Sequence, residues 1–273
     1  TSLYSSGLSE QSIIEGIKSV IENGRVILEP VAGDNGVPCF YLPELLNAEI
    51  SVAENIKRLQ GCNEQIAASF DEVENVIART EYPPDESQRL ALDTALAESF
   101  CVITGGPGTG KTTTMRLLLE VLHTAGVQRI MLASPTGRAA KRLAEATGHE
   151  ASTIHRLLKF DPMSGQFSKN EEDQLEVDYL VIDEVSMMDL KLCAALLSAV
   201  PDNAKVLFVG DADQLPSVGA GAVLRDFVAS ANIKTSRLER IHRQGKGSGI
   251  VTAAHAILNG EVPQTVQMDN GNG

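Results

Sequence analysis

Two spacings of hydrophobic residues divide this chain. Up to residue 82 helical spacing dominates: Ile13, Ile14, Ile17, Val20 and Ile21 share one face of a helix opened by Ser12 and closed at Asn23-Gly24. Residues 25–31 and 37–42 then read as two strands joined by the turn Gly33-Asp34-Asn35-Gly36. A helix followed by a hairpin predicts a small winged-helix-like module, continued by helices over 48–59 and 65–79. Pro83-Pro84 breaks the pattern and marks a boundary. Beyond it, short apolar runs at 100–104, 129–133, 177–182, 204–209 and 233–238 alternate with helical patterns. That alternation predicts a parallel sheet covered by helices. The expected organisation is a winged-helix-like and helical module over 1–82 and an α/β domain over 83–273.

Ligands of such sheets bind at the carboxyl ends of the strands. The run at 100–104 leads directly into Gly105-Gly106-Pro107-Gly108-Thr109-Gly110-Lys111-Thr112, after which Met115, Leu118, Leu119 and Leu122 recur at helical spacing. Strand, glycine-rich loop and helix start make a phosphate-binding pattern. Glycines let successive backbone N–H groups approach phosphate oxygens, and the new helix points its positive end at them. Lys111 would reach the β- and γ-phosphates and the Thr112 hydroxyl would hold Mg²⁺. The ligand expected is a nucleoside triphosphate. An ordinary glycine-rich turn would not need these flanks.

Further chemistry follows two other strands. Asp183-Glu184 ends the run at 177–182, so that one carboxylate can serve the Mg²⁺ shell and the second an attacking water. The run at 204–209 leads into a Gly, Asp and Pro-rich loop that carries Gln214, an amide able to sense the γ-phosphate or the water. Arg240, His242 and Arg243 follow the last strand, and Arg243 is the choice for the charge that grows in the transition state.

Composition restricts partners and compartment. With 43% hydrophobic and 22% charged residues the chain is globular, and no apolar stretch approaches the ~20 residues of a membrane span. Thr1-Ser2-Leu3-Tyr4 is unlike a secretory signal, so a cytoplasmic protein without membrane contact is expected. Cys39, Cys62, Cys101 and Cys193 lack metal-ligand spacing and read as reduced, packed thiols. A net charge of −13 argues against coating nucleic acid by bulk charge, so any such contact is local. The first module is acidic, which favours a structural or protein-contact role there. Arg138, Lys141, Arg142, Arg156 and Lys159 form the one basic concentration, although Glu145 can pair with Lys141 and Arg142.

Taken in order, the motifs over 84–263 resemble the first motor domain of RecD-like superfamily 1 DNA helicases, the exodeoxyribonuclease V alpha subunit family. The resemblance rests on Ser87-Gln88-Arg89-Leu90-Ala91, the phosphate loop, Ala133-Ser134-Pro135-Thr136-Gly137-Arg138, Ser152-Thr153-Ile154-His155-Arg156, Asp183-Glu184-Val185-Ser186-Met187, the segment 210–221 and Leu238-Glu239-Arg240-Ile241-His242-Arg243-Gln244. It implies a RecA-like P-loop NTPase fold and ATP with Mg²⁺ as cofactors. Gln88 would read adenine, and Gly106, Pro107, Gly108, Thr109, Gly110, Lys111, Thr112 and Thr113 would hold the nucleotide. Thr112 and Asp183 would serve the metal, and Lys111, Asp183, Glu184, Gln214 and Arg243 catalysis. Pro135, Thr136, Gly137, Arg138, Thr153 and His155 would line the path of single-stranded DNA.

Tyr41-Leu42-Pro43-Glu44-Leu45 resembles the module that precedes the motor in stand-alone bacterial members, a branch that translocates 5′ to 3′. Such helicases close two RecA-like domains around ATP, and the residues after Pro263 are too few for the second. The expectation is a fragment whose partner is the second motor domain of its parent chain, with weak nucleotide binding, little ATPase and no unwinding by itself. No carboxylate cluster for DNA cleavage is visible. Two rivals remain at this point: another P-loop kinase or nucleotide hydrolase, and a non-catalytic nucleotide-sensing module that binds a partner. Intact Lys111, Asp183 and Glu184 speak against the second.

Overall fold

A computed structural model describes residues 9–29, 39–62, 68–240 and 260. The first helix, α1 (Glu10–Glu22), starts earlier than the Ser12 of the sequence reading because Ser9 takes the cap: its Oγ accepts from Ser12 N at 3.2 Å. Strands β1 (Ile27–Glu29) and β2 (Cys39–Tyr41) pair antiparallel, as the expected hairpin requires, while the turn at 33–36 lies outside the described residues. Helix α2 (Pro43–Gln60) begins five residues before the expected start, with Pro43 in the first turn where a missing N–H costs nothing. Helix α3 (Phe70–Arg79) is shorter than 65–79. Ser69 and Glu72 form a reciprocal capping box that fixes its start, and 63–67 are not described.

Helix α4 (Glu86–Ala97) leads into β3 (Phe100–Gly105), and the chain then winds through α5 (Lys111–Thr124), β4 (Ile130–Ser134), α6 (Gly137–Thr147), β5 (Ala151–Thr153) and α7 (Ile154–Leu157). A small hairpin of β6 (Phe160–Asp161) and β7 (Gln166–Phe167) follows, then β8 (Tyr179–Ile182), a 3-10 turn (Val185–Met187), α8 (Leu190–Ser198), β9 (Lys205–Gly210), α9 (Val223–Ala229) and β10 (Lys234–Leu238). Six strands form one parallel sheet in the order β10-β3-β9-β8-β4-β5. All five strands expected beyond Pro84 are in it. The sixth, β5, and the β6-β7 hairpin were not anticipated.

Because side chains alternate along a strand, the buried runs feed two cores. Phe100, Val102, Leu180, Ile182, Val206 and Phe208 face one layer, which includes Val52, Ile56 and Leu59 of α2 and Leu196 of α8. Cys101, Ile103, Val181, Leu207 and Val209 face the other, with Val73 and Val76 of α3 and Leu118 and Leu122 of α5. Helices α2 and α3 thus each contribute to a core of the sheet. Cys101 and Cys193 are buried and burial pushes both thiols up, Cys101 to about 12; Cys62 is only half-buried. Among the described residues no helix is long and apolar enough to cross a membrane.

Candidate nucleotide site and adjoining sheet edge

The parallel sheet brings the carboxyl ends of β3, β8, β9, β4 and β5 to one edge, and the phosphate loop, Asp183-Glu184, Gln214 and the segments 135–138 and 153–155 follow these ends. The loop after β3 depends on its glycines, with Gly108 at φ 79°. A Cβ on Gly105 would stand 2.7 Å from Thr109 Oγ1 and 2.8 Å from Leu238 O, and Gly110 caps α5 at φ 90°, a left-handed conformation. Thr109 Oγ1 donates to Gly106 O at 2.8 Å and closes the loop on itself. Lys111 is half-buried, its Nζ donating to Gly106 O at 3.1 Å and to Gly105 O. The ammonium is therefore folded over the loop, while Thr112 and Thr113 are exposed beside it.

Across β9 from β3, Asp183 follows the last residue of β8 and its N–H donates to Ala133 O at 2.9 Å. Burial, then the charge of Glu184, pushes the Asp183 carboxyl up to about 6, against the opposing pull of Lys111. Glu184 has φ 56° and ψ 41°, a left-handed conformation that L residues with a Cβ rarely adopt. Strain of this kind persists where the surroundings impose it, commonly at functional sites. Ser186, in the turn that follows, donates from Oγ to Gln214 Oε1 at 3.5 Å, which links the β8 and β9 ends.

Several contributors went unnoticed in the sequence. Arg225 of α9 donates to Ala212 O at 3.0 Å and to Gln214 O at 3.2 Å, holding the backbone of the Gln214 loop. Thr104 Oγ1 accepts from Ala212 N at 3.2 Å, and the buried Asp211 accepts from Asp213 N at 3.0 Å. No local pattern marks these residues, because their partners come from other elements or from the backbone. Arg243 lies outside the described residues.

Gln88 is buried, and its Oε1 accepts from Asp85 N at 3.1 Å within a capping box. It also lines a cavity of about 530 Å³ that runs along one face of α5, with Tyr82, Thr113 and Arg116 among the walls. A larger cavity, of about 850 Å³, lies between α2 and α9 and includes none of the sequence-expected site residues.

On the other side of Asp183, β4 and β5 pair with Ser134 opposite Thr153, so the segments Pro135–Arg138 and Thr153–His155 are brought together. Both threonines have a structural duty that the sequence reading did not include: Thr136 Oγ1 caps α6 through Ala139 N at 3.3 Å, and Thr153 Oγ1 caps α7 through Arg156 N at 3.1 Å. Arg138 and His155 are exposed, and the His155 ring lies 5.4 Å from Phe160 and 5.6 Å from Phe167. The unforeseen hairpin therefore adds an aromatic cluster to this edge. Lys141 and Glu145 pair at 3.8 Å on the exposed face of α6, as their spacing suggested.

The donors suit a nucleotide with magnesium. Thr112 and Asp183 offer only oxygen, the preference of a hard cation, and Ser134 Oγ at the neighbouring strand end is buried without a hydrogen-bond partner among the described residues. A family model described as an AAA domain matches residues 88–220. The chain is 38% identical to the ATP-dependent RecD2 DNA helicase of Deinococcus radiodurans over 253 residues, covering 90% of this chain and 34% of that one. These matches support a RecD-like superfamily 1 helicase motor domain. Its parallel sheet and phosphate loop have the α/β RecA-like form. The chain is also 42% identical over 202 residues to the RecBCD enzyme subunit RecD of Mycobacterium tuberculosis, covering 64% of this chain and 35% of that one. Over 167 residues it is 35% identical to the ATP-dependent DNA helicase dda of phage T4, covering 58% and 38%. The chain thus spans roughly a third of the length of these relatives.

Proposed function

We propose that this chain supplies the nucleotide-binding half of an ATP-dependent DNA helicase that moves 5′ to 3′ along single-stranded DNA. The observation that carries the reading is the meeting of three features at one sheet edge: the phosphate loop, Asp183 beside a left-handed Glu184, and Gln214 tied to Ser186. Lys111 would leave the loop carbonyls for the β- and γ-phosphates, and Thr112 and Asp183 would hold Mg²⁺. That ion would neutralise phosphate charge and polarise the transferring group. Glu184 would accept a proton from the attacking water and Gln214 would orient it, with Arg225 fixing the Gln214 backbone. Arg243 remains the candidate for the transition-state charge. Gln88 would read adenine, and the exposed Tyr82 ring on the same cavity offers a face for a purine.

Single-stranded DNA would cross the edge carrying Pro135, Thr136, Gly137, Arg138, Thr153 and His155. Backbone amides, Arg138 and the aromatic cluster at His155, Phe160 and Phe167 can hold phosphates and stack bases without reading sequence. The second motor domain would come from the rest of the parent protein. The match to the Deinococcus helicase covers 90% of the chain and the mycobacterial match 64%, which favours a stand-alone enzyme over a nuclease subunit. A cytoplasmic location accords with a DNA-directed motor.

The test is ATP hydrolysis by the parent protein with and without oligothymidylate. Stimulation by the oligonucleotide, abolished by Lys111→Ala, is expected. Hydrolysis indifferent to DNA but driven by a small phosphate acceptor would instead identify a kinase or other nucleotide enzyme.

A further inference from the structure

A pair of histidines, His123 and His149, lies at the far end of the α5 cavity. His123 and His149 approach through their Nε2 atoms at 2.7 Å, with ring centroids 4.9 Å apart and planes within 14°. The nitrogens are much closer than the ring centres. The imidazoles therefore meet nearly in plane with Nε2 facing Nε2, the geometry of an N–H···N hydrogen bond. Both residues line the cavity that Gln88 and Thr113 line at its opposite end. His123 is ten residues beyond Thr113 on α5, or about 15 Å at a helical rise. The pair is thus separate from the phosphate loop.

His149 is held in place by its surroundings. Its Nδ1 lies 3.0 Å from Thr147 O, which fixes the proton on Nδ1 and leaves Nε2 with a lone pair. Its backbone N–H donates to Thr147 Oγ1 at 3.3 Å, and that hydroxyl donates to Leu143 O at 2.7 Å. An imidazole oriented through its other nitrogen by a backbone carbonyl is the usual arrangement around a metal. His123 stands on the last turn of α5 and is exposed, free to adjust by rotamer.

We propose that His123 and His149 form a two-imidazole site for a borderline transition-metal ion, Zn²⁺ or Ni²⁺, distinct from any magnesium at the phosphate loop. Tetrahedral ligation at about 2.0–2.1 Å sets the two nitrogens about 3.3 Å apart, so the ion would displace the proton shared between them and turn both rings toward itself. Among the described residues no group of three or more His, Cys, Asp and Glu is assembled, so water completes the shell. Imidazole suits zinc and nickel and is a poor ligand for magnesium. The bound ion would pin the end of α5, whose start carries Lys111, to the turn between α6 and β5.

Isothermal titration of the untagged 273-residue chain with Ni²⁺ and with Zn²⁺, in a buffer containing Mg²⁺, tests the site. One ion per chain is expected, with affinity falling about tenfold or more in His123→Ala and in His149→Ala but not in His155→Ala. Imidazole NMR of the unsubstituted chain gives a second readout that needs no variant. Zn²⁺ should shift the signals of His123 and His149 and leave that of His155. Equal binding by wild type and both variants, or no binding at all, would overturn the site and leave the pair as two imidazoles sharing a proton.

Discussion

Glu184 is the residue whose backbone and side chain make opposite demands. Its left-handed conformation disfavours any side chain, yet its carboxylate is the one proposed to take a proton from the water. Glu184→Gly should be more stable than Glu184→Ala by about 1 kcal/mol, since only glycine relaxes the backbone; thermal denaturation of the two variants measures this. Glu184→Gln keeps the side-chain size but removes the proposed base. In the parent protein it should bind a nucleotide as tightly as wild type while turnover falls by roughly 10²-fold or more, a split read by titration and steady-state kinetics. The candidate residues Lys111, Asp183, Glu184 and Gln214 were legible because they follow strand ends in fixed order. Arg225, Thr104 and Tyr82 were not, since each acts on a residue far away in sequence or through a cavity that only the folded chain creates. Thr136 and Thr153 were found at the expected edge, but their capping duties depend on where α6 and α7 begin.

At the scale of elements, a buried lysine joins β9 to α4. Lys205 Nζ donates to Leu96 O at 2.8 Å, Ala97 O at 3.0 Å and Glu98 O at 3.4 Å, satisfying carbonyls that the end of α4 leaves open. Lys205→Met should cost about 2 kcal/mol or more in chemical denaturation at pH 8, because those carbonyls lose a charged donor. Burial lowers the Lys205 pKa below that of an unfolded lysine. The unfolded chain then holds its proton to higher pH, so wild type gains stability as pH rises from the folded pKa toward about 10.4. The gap between wild type and Lys205→Met should therefore widen from pH 8 to pH 10. Elements long enough to show a period were readable from the sequence. Strand β5 has three residues and β6 and β7 two each, too short for alternation to register, and tertiary pairing alone defines them. Helix starts shifted where a cap or proline outweighed hydrophobic spacing, as at Ser9, Pro43 and Ser69.

For the whole molecule, the net charge of −13 and the exposed Arg138 edge pull in opposite directions on nucleic acid. Binding of oligothymidylate should weaken as salt rises, and Arg138→Ala should lower affinity similarly for all sequences and flatten the salt dependence by about one unit of slope. Fluorescence anisotropy across a salt series reads both. A sequence-selective loss would mean that Arg138 contacts bases. The most direct measurement is a crystal structure of the chain with a non-hydrolysable ATP analogue, Mg²⁺ and a short oligothymidylate. The expected result has the triphosphate in the loop at 105–112, the metal between Thr112 and Asp183, and the DNA over Arg138 and His155. A nucleotide seated away from Lys111, or DNA on the opposite end of the sheet, would contradict the helicase reading.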